Sequence, residues 1–230
     1  MRTASLLTAL LIAVGGLIAQ DPKAKQPEPP KPPDPKAKPV EPPKPADPKT
    51  APASALESAY FPVKKGTKWT YKYAESDVVM EVKESGADVK VDTLSNNKAV
   101  ASETLQLKAD GIYRIKINTL DIVPPLKILE LETKDGKLVP KAKGTKWPVD
   151  SKVQQASLTG EYEIGETAKM SLPAPLGDVD ATKVTATLNI AGTATTVTYW
   201  FAPNKGQVKV SYTIAGNTQE MSLKAMDAGK

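Results

Sequence analysis

From Tyr60 onward, apolar and polar residues alternate with a period of two. Trp69, Tyr71 and Tyr73 alternate with Lys68, Thr70 and Lys72. Val78, Met80 and Val82 continue the pattern, as do Val89, Val91 and Thr93, then Leu105 and Leu107. Tyr113, Ile115 and Ile117 follow Ala109-Asp110-Gly111, and Asp-Gly between alternating runs signals a hairpin. Later runs are Val184/Ala186/Leu188/Ile190, Val197/Tyr199/Phe201 and Val208/Val210/Tyr212/Ile214, after which Gly216-Asn217 turns the chain toward Met221 and Leu223. Lys134-Asp135-Gly136-Lys137 reads as a further turn. Successive side chains of a strand point to opposite faces. These runs therefore predict antiparallel strands with one face on a core and the other in water. The pattern predicts an all-β domain of roughly ten or more strands.

One pentapeptide repeats. Lys65-Gly66-Thr67-Lys68-Trp69 recurs as Lys143-Gly144-Thr145-Lys146-Trp147. Each copy precedes a set of strands that later contains a turn glycine followed by alternation, at Gly111-Ile112-Tyr113-Arg114-Ile115 and Gly206-Gln207-Val208-Lys209-Val210. Two readings stay open: one sheet closed by two related halves, or chance recurrence of a Lys/Gly/Thr-rich string.

The first 59 residues follow other rules. Residues 1–19 read as a secretory signal peptide: Arg2 supplies the positive start, Leu6 to Ala19 the apolar run, and Asp21-Pro22 the break. The run is shorter than the ~20 apolar residues of a membrane span, so cleavage near Gln20 is expected, with an uncleaved anchor as the alternative. Residues 20–52 are a proline- and lysine-rich linker, an imperfect repeat that starts afresh at Asp21, Asp34 and Asp47. It has no large apolar side chain with which to offset its ordering entropy, so it is expected to be disordered and rich in polyproline II. At about 3.1 Å per residue it could reach roughly 100 Å. Ser54-Ala55-Leu56-Glu57 fits a capping box for one helical turn. The β-domain is then 53–230.

Composition narrows the chemistry. The chain has no histidine and no cysteine. That removes an imidazole base, a thiolate nucleophile and a disulfide, and makes a zinc enzyme improbable. The same absence excludes an N-terminal lipidated cysteine. Carboxylate chemistry stays open. The net charge is +5, but it is spread along the chain, and Arg114 is the only arginine after Arg2. A nucleic-acid binder concentrates basic charge, arginine above all, on its domain, so no nucleic-acid partner is expected. No P-loop, dinucleotide fingerprint or calcium loop is present, and no cofactor, metal site or catalytic residue is expected.

The candidate ligand or partner residues are Trp69, Trp147, Trp200, Lys68 and Lys146. The tryptophans of the two repeats could offer flat faces to a sugar or acyl chain, with the lysines meeting anions; the alternative is that they plug the core. Tyr199-Trp200-Phe201 cannot all face one side of a strand. With Tyr199 and Phe201 inward, Trp200 points out, exposed or covered by a neighbour. Glu161 with Glu163, and Asp178 with Asp180, share a parity, which solvated strand faces commonly do.

Three segments taken together carry a resemblance: Tyr60-Phe61-Pro62-Val63 through Gly66-Thr67-Lys68-Trp69-Thr70-Tyr71; Pro124-Pro125-Leu126-Lys127-Ile128-Leu129 with Gly144-Thr145-Lys146-Trp147; and Tyr199-Trp200-Phe201-Ala202-Pro203-Asn204-Lys205-Gly206-Gln207-Val208-Lys209. The set resembles a loose family of exported bacterial proteins of unknown function, some labelled TapB-like. Asn204 stands where that family usually has glycine, and Leu172-Pro173-Ala174-Pro175 matches its Val-Pro-Ala-Gly turn only in part. The resemblance implies an antiparallel β-roll or half-barrel and carries over no activity. The expected protein is an exported, non-catalytic module, periplasmic or extracellular, that binds an apolar or polymeric ligand or a partner protein. A carboxylate-dependent hydrolase of cell-surface material and a purely structural surface protein are the alternatives.

Overall fold

The computed structural model describes residues 60–229. The signal peptide, the linker and the capping box fall outside them. In chain order the strands are β1 (Lys68–Tyr73), β2 (Ser76–Glu84), β3 (Asp88–Ser95), β4 (Lys98–Lys108), β5 (Gly111–Ile117), β6 (Leu120–Lys134), β7 (Lys137–Pro140), β8 (Lys146–Val153), β9 (Ala156–Ser171), β10 (Asp178–Ile190), β11 (Thr193–Ala202), β12 (Gly206–Ile214) and β13 (Asn217–Asp227). The turns at 74–75, 96–97, 118–119, 154–155, 191–192 and 215–216 are all two residues long. Asn96-Asn97, Ala191-Gly192 and Ala215-Gly216 have positive φ at both positions, the geometry whose twist suits a hairpin.

Every pairing is antiparallel, and the sheet closes on itself. β1 to β6 pair in sequence, β6 pairs with β8, β8 to β13 pair in sequence, and β13 pairs back on β1. The expected β-roll or half-barrel is therefore corrected to a closed barrel of twelve strands. Period-two alternation is the same in an open and a closed sheet; what closes this one is the β13–β1 ladder, from Lys68↔Asp227 to Tyr73↔Met221, and the bridging of β5 to β8 by β6. β7 stays outside the ring and pairs with the far end of β6.

The two pentapeptides occupy equivalent places, ahead of β1 and β8. Gly66 N–H donates to the Val82 carbonyl at 2.8 Å and Gly144 N–H to that of Ile164 at 2.7 Å. Val82 and Ile164 return the bond to Thr67 and Thr145, each at 2.9 Å. Gly111 and Gly206 open β5 and β12, each the fifth strand of its half. A Cβ on Gly111 would lie 2.4 Å from the Leu129 carbonyl oxygen, which leaves no room for a side chain, whereas Gly206 is required by its φ of +76°, a backbone conformation that other residues rarely adopt.

The core fills the barrel. Trp69, Tyr71, Val82, Leu105, Leu129, Ile164, Val184, Phe201 and Val210 are among its buried members. The outer row of β8 reads Lys146, Pro148, Asp150, Lys152, all exposed, the reverse of a lipid-facing barrel, whose outside is apolar. β5 departs from the sequence reading. Tyr113 and Ile115 were expected to share the inner face with Ile117, yet Ile112 is buried, Arg114 is brought opposite Leu105 and Leu126, and Tyr113 lies outside beneath Lys108 and Lys127. Register shifts between Thr104 and Leu105 and between Arg114 and Lys116 cause the change, because one extra residue moves the following side chains to the other face.

The barrel has two unlike ends. Tyr60 enters at the end where Gly229 N–H donates to Thr67 Oγ1 at 3.0 Å, and Phe61 packs on Trp69 there with ring centroids 5.3 Å apart. The turns at 74–75, 96–97, 118–119, 154–155, 191–192 and 215–216 ring the opposite, distal end. The two seams also differ. Against the six residue pairs of β1–β13, β6–β8 has two, Ile122↔Val153 and Val123↔Lys152. Pro124, Pro125 and Pro148 stand where that ladder would continue, and proline has no N–H to give. Instead the Trp147 indole spans the seam and donates to the Lys127 carbonyl at 2.9 Å.

Candidate functional site

The interior holds a polar cluster. Glu103 on β4 and Arg114 on β5 face inward, and Arg114 Nε donates to Glu103 Oε2 at 2.6 Å, with side-chain exposures of 18% and 9%. Such a pair is secured when further hydrogen-bonding groups surround it, and tyrosines do so here. The Tyr71 hydroxyl donates to the Gln207 carbonyl at 2.7 Å and that of Tyr73 to Gln219 Oε1 at 2.6 Å. Tyr199, Tyr162 and Tyr212 bring their hydroxyls toward the guanidinium. Tyr162 is 1% exposed, and its hydroxyl has no hydrogen-bond partner of good geometry among the described residues.

Burial holds the Tyr71 and Tyr162 hydroxyls well above the usual tyrosine range. Tyr212 is raised as well, by burial and then by Tyr199. For Arg114, burial opposes the charge, but Glu103 and the neighbouring tyrosines outweigh it and its pKa rises. The cluster is thus one guanidinium, one carboxylate and a set of neutral phenols.

Access is one-sided. Toward the tether end the inward side chains of Trp69, Val82, Leu129 and Phe201 are buried. Toward the distal end Tyr73, Leu120, Ile190, Tyr212, Ile214 and Gln219, which face inward, are all partly exposed. The interior is packed, with its inward side chains buried toward the tether end and partly exposed at the distal rim.

The candidates read from the sequence are scattered. Trp69 is 1% exposed and its indole donates to the Lys205 carbonyl at 2.7 Å. Trp147 is 8% exposed and stacks on Tyr162 at 5.3 Å. Trp200 points outward, with Lys209 Nζ 5.0 Å above its ring, and that lysine also reaches Glu220 at 2.8 Å. Lys68 lies on the outer face, 4.0 Å from Glu81. Lys146 is also outside, 2.8 Å from Glu161 and 3.5 Å from Glu163. Sequence reasoning missed Arg114, Glu103, Tyr162 and Tyr212 as one group. One signal pointed there: a lone arginine in a lysine-using chain marks a position that needs the guanidinium's planar fork of donors.

Fold and interior together define a class, a closed antiparallel barrel with a packed core, a buried polar cluster and a hydrophilic outer wall. Among solved structures it is similar to a candidate lipoprotein from Parabacteroides distasonis, with a TM-score of 0.50 at 15% identity, over 73% of this chain and 98% of that one. It is also similar to a candidate exported protein with a YmcC-like fold from Bacteroides fragilis, with a TM-score of 0.48 at 15% identity and the same coverage. No family model matches the chain. No curated protein matches it either. At this identity the likeness is one of fold, and it does not extend to the TapB-like label.

Proposed function

We propose that this chain is an exported, tethered, non-catalytic module that takes its ligand at the distal end of the barrel. One observation carries the reading: the chain enters at the end where the inward side chains are buried, and those at the other end, Tyr73, Tyr212 and Gln219 among them, are partly exposed. A signal peptide and a linker of roughly 100 Å reach would deliver the barrel to the periplasm or the cell exterior and hold its mouth away from the attachment point. The Parabacteroides neighbour's designation as a candidate lipoprotein agrees with an envelope setting, although this chain has no cysteine to carry a lipid.

The chemistry favours binding over hydrolysis. A two-carboxylate hydrolase needs a pair of acids across a cleft, whereas Glu103 is engaged by Arg114 and Glu161 and Glu163 face outward beside Lys146. An apolar ligand held by Trp69 and Trp147 is disfavoured because both are built into the core. The test uses the absence of cysteine. Asn217→Cys, at the distal rim, should be labelled by a sulfonated maleimide in intact cells or spheroplasts of the native host. Labelling that appears only after lysis overturns export.

A further inference from the structure

We infer that the free edge of β9 is a docking edge for a second copy of this chain, with β9 pairing antiparallel to its own copy across a two-fold axis at Ala168. The surface lies at the tether end and is independent of where a ligand binds. There β9 and β10 outrun their neighbours. The β8–β9 ladder stops at Lys146↔Glu163, and Gly144 and Thr145 extend the contact only to Ile164. The β10–β11 ladder stops at Thr182↔Phe201. Residues 165–171 and 178–181 therefore form a two-stranded arm whose outer edges meet no strand among the described residues. Glu166, Thr167, Ala168, Lys169 and Ser171 are all exposed.

Hydrogen-bond parity fixes which groups of the arm are free. Leu172 N–H donates to the Gly177 carbonyl at 3.2 Å. Residues that exchange such bonds alternate along an antiparallel ladder, so Met170 and Ala168 also face β10. Thr167, Lys169 and Ser171 then turn their N–H and C=O groups outward. Side chains agree: Thr167 Oγ1 lies 2.9 Å from Thr182 Oγ1, and Ser171 Oγ donates to Asp178 Oδ1 at 2.7 Å, the close approach of non-hydrogen-bonded pairs. An open edge of this kind accepts an extended strand, and its own copy fits. With Thr167 opposite the copy's Lys169, the backbones exchange hydrogen bonds at both such pairs and Ala168 meets Ala168 at the axis. Residues 165–171 overlap in full, and no like charges stand opposite one another. The other edges do not suit a copy. The outward groups of β10 belong to Asp178 and Asp180, so its pairing with itself opposes carboxylates, and like charges directly opposite destabilise a sheet. β7 has four residues and ends in Pro140, which has no N–H to give. The β9 edge is long and free of proline, and its charges, Glu166 and Lys169, balance.

Sedimentation of the purified chain, tether included, should show a monomer–dimer equilibrium with a Kd between about 1 μM and 1 mM, the range of a small interface. Lys169→Pro and Thr167→Pro each remove one outward N–H, which an edge strand tolerates. Each should weaken dimerisation about tenfold or more while the melting temperature stays near that of the parent. The chain has no cysteine, so Ala168→Cys reads the axis directly: the Cα atoms of a non-hydrogen-bonded pair stand about 4.5 Å apart, within disulfide reach. Mild oxidation with diamide should link Ala168→Cys into dimers and leave Thr187→Cys, exposed on the outer wall, monomeric. A monomer at every concentration with no Ala168→Cys link overturns the inference. So does a dimer that both proline variants leave intact, or Thr187→Cys linking as fast as Ala168→Cys. Lys169→Cys linking faster than Ala168→Cys overturns the two-fold axis at Ala168.

Discussion

Replacing Trp147 by phenylalanine should injure the barrel locally as well as globally. The change keeps an aromatic ring on Tyr162, where the indole now stacks at 5.3 Å and 8°, and removes the N–H that reaches the Lys127 carbonyl at 2.9 Å. Losing a hydrogen bond of this kind costs about 1 kcal/mol, and more when the acceptor is left buried. The smaller ring adds a cavity term, so the total should be about 1.5–3 kcal/mol. Trp69→Phe should cost a similar amount, because its indole donates to the Lys205 carbonyl at 2.7 Å. The two variants should differ in where they loosen the protein. β1–β13 keeps six residue pairs, whereas β6–β8 has only two besides the indole. Denaturant melts give the total, and native-state amide exchange shows the location. Val123 and Lys152 should exchange faster than the global unfolding limit in Trp147→Phe and stay protected in Trp69→Phe. A loss below about 0.5 kcal/mol, the scale of surface substitutions, or the same exchange pattern in both variants, would refute the claim that an indole holds this seam.

Removing one partner of the interior pair, by Arg114→Leu or Glu103→Leu, should cost about 3–5 kcal/mol in denaturant melts, with the double variant less damaging than the sum of the singles. Tyr162→Phe deletes an unpartnered buried hydroxyl and should be neutral or slightly stabilising near neutral pH; a loss above about 1 kcal/mol would show that the hydroxyl is satisfied after all. Burial raises the Tyr71 and Tyr162 pKa values above the unfolded value near 10, so their contribution is complete below about pH 10 and is lost as the pH rises, by up to ~1.4 kcal/mol per unit for each. Melts across that range should fall less steeply in Tyr162→Phe than in the parent. Deleting residues 21–52 should leave the melting temperature of the barrel within a few degrees, since that segment has no large apolar group to bury; a larger drop would mean that it packs.

The strands were legible because burial on one face forces period two, and runs such as Trp69/Tyr71/Tyr73 and Val197/Tyr199/Phe201 lie in β1 and β11 as read. Closure was not, since the β13–β1 pairing links residues far apart in sequence and leaves no local trace. β5 was misread for a physical reason: a bulge changes which residues face inward without changing their hydrophobicity, so Tyr113 and Ile115 looked like core and Arg114 like surface. The outward direction of Trp200 followed from parity, but its cover by Lys209 depends on the neighbouring strand. The polar cluster was hidden for the same reason. Glu103, Arg114, Tyr162 and Tyr212 lie on four strands, and only the closed ring brings them together.

The short β6–β8 seam also bears on how the barrel behaves when it opens transiently. A ring that parts there becomes an open sheet with two raw edges, the usual starting point for pairing between copies and for aggregation. On these edges Pro124, Pro125 and Pro148 cannot donate to an incoming strand, and Lys146 and Lys152 of one copy would meet the same lysines of another in a symmetric approach. The line with the fewest residue pairs is thus also a poor template for a second chain, so the barrel can breathe there without recruiting other copies.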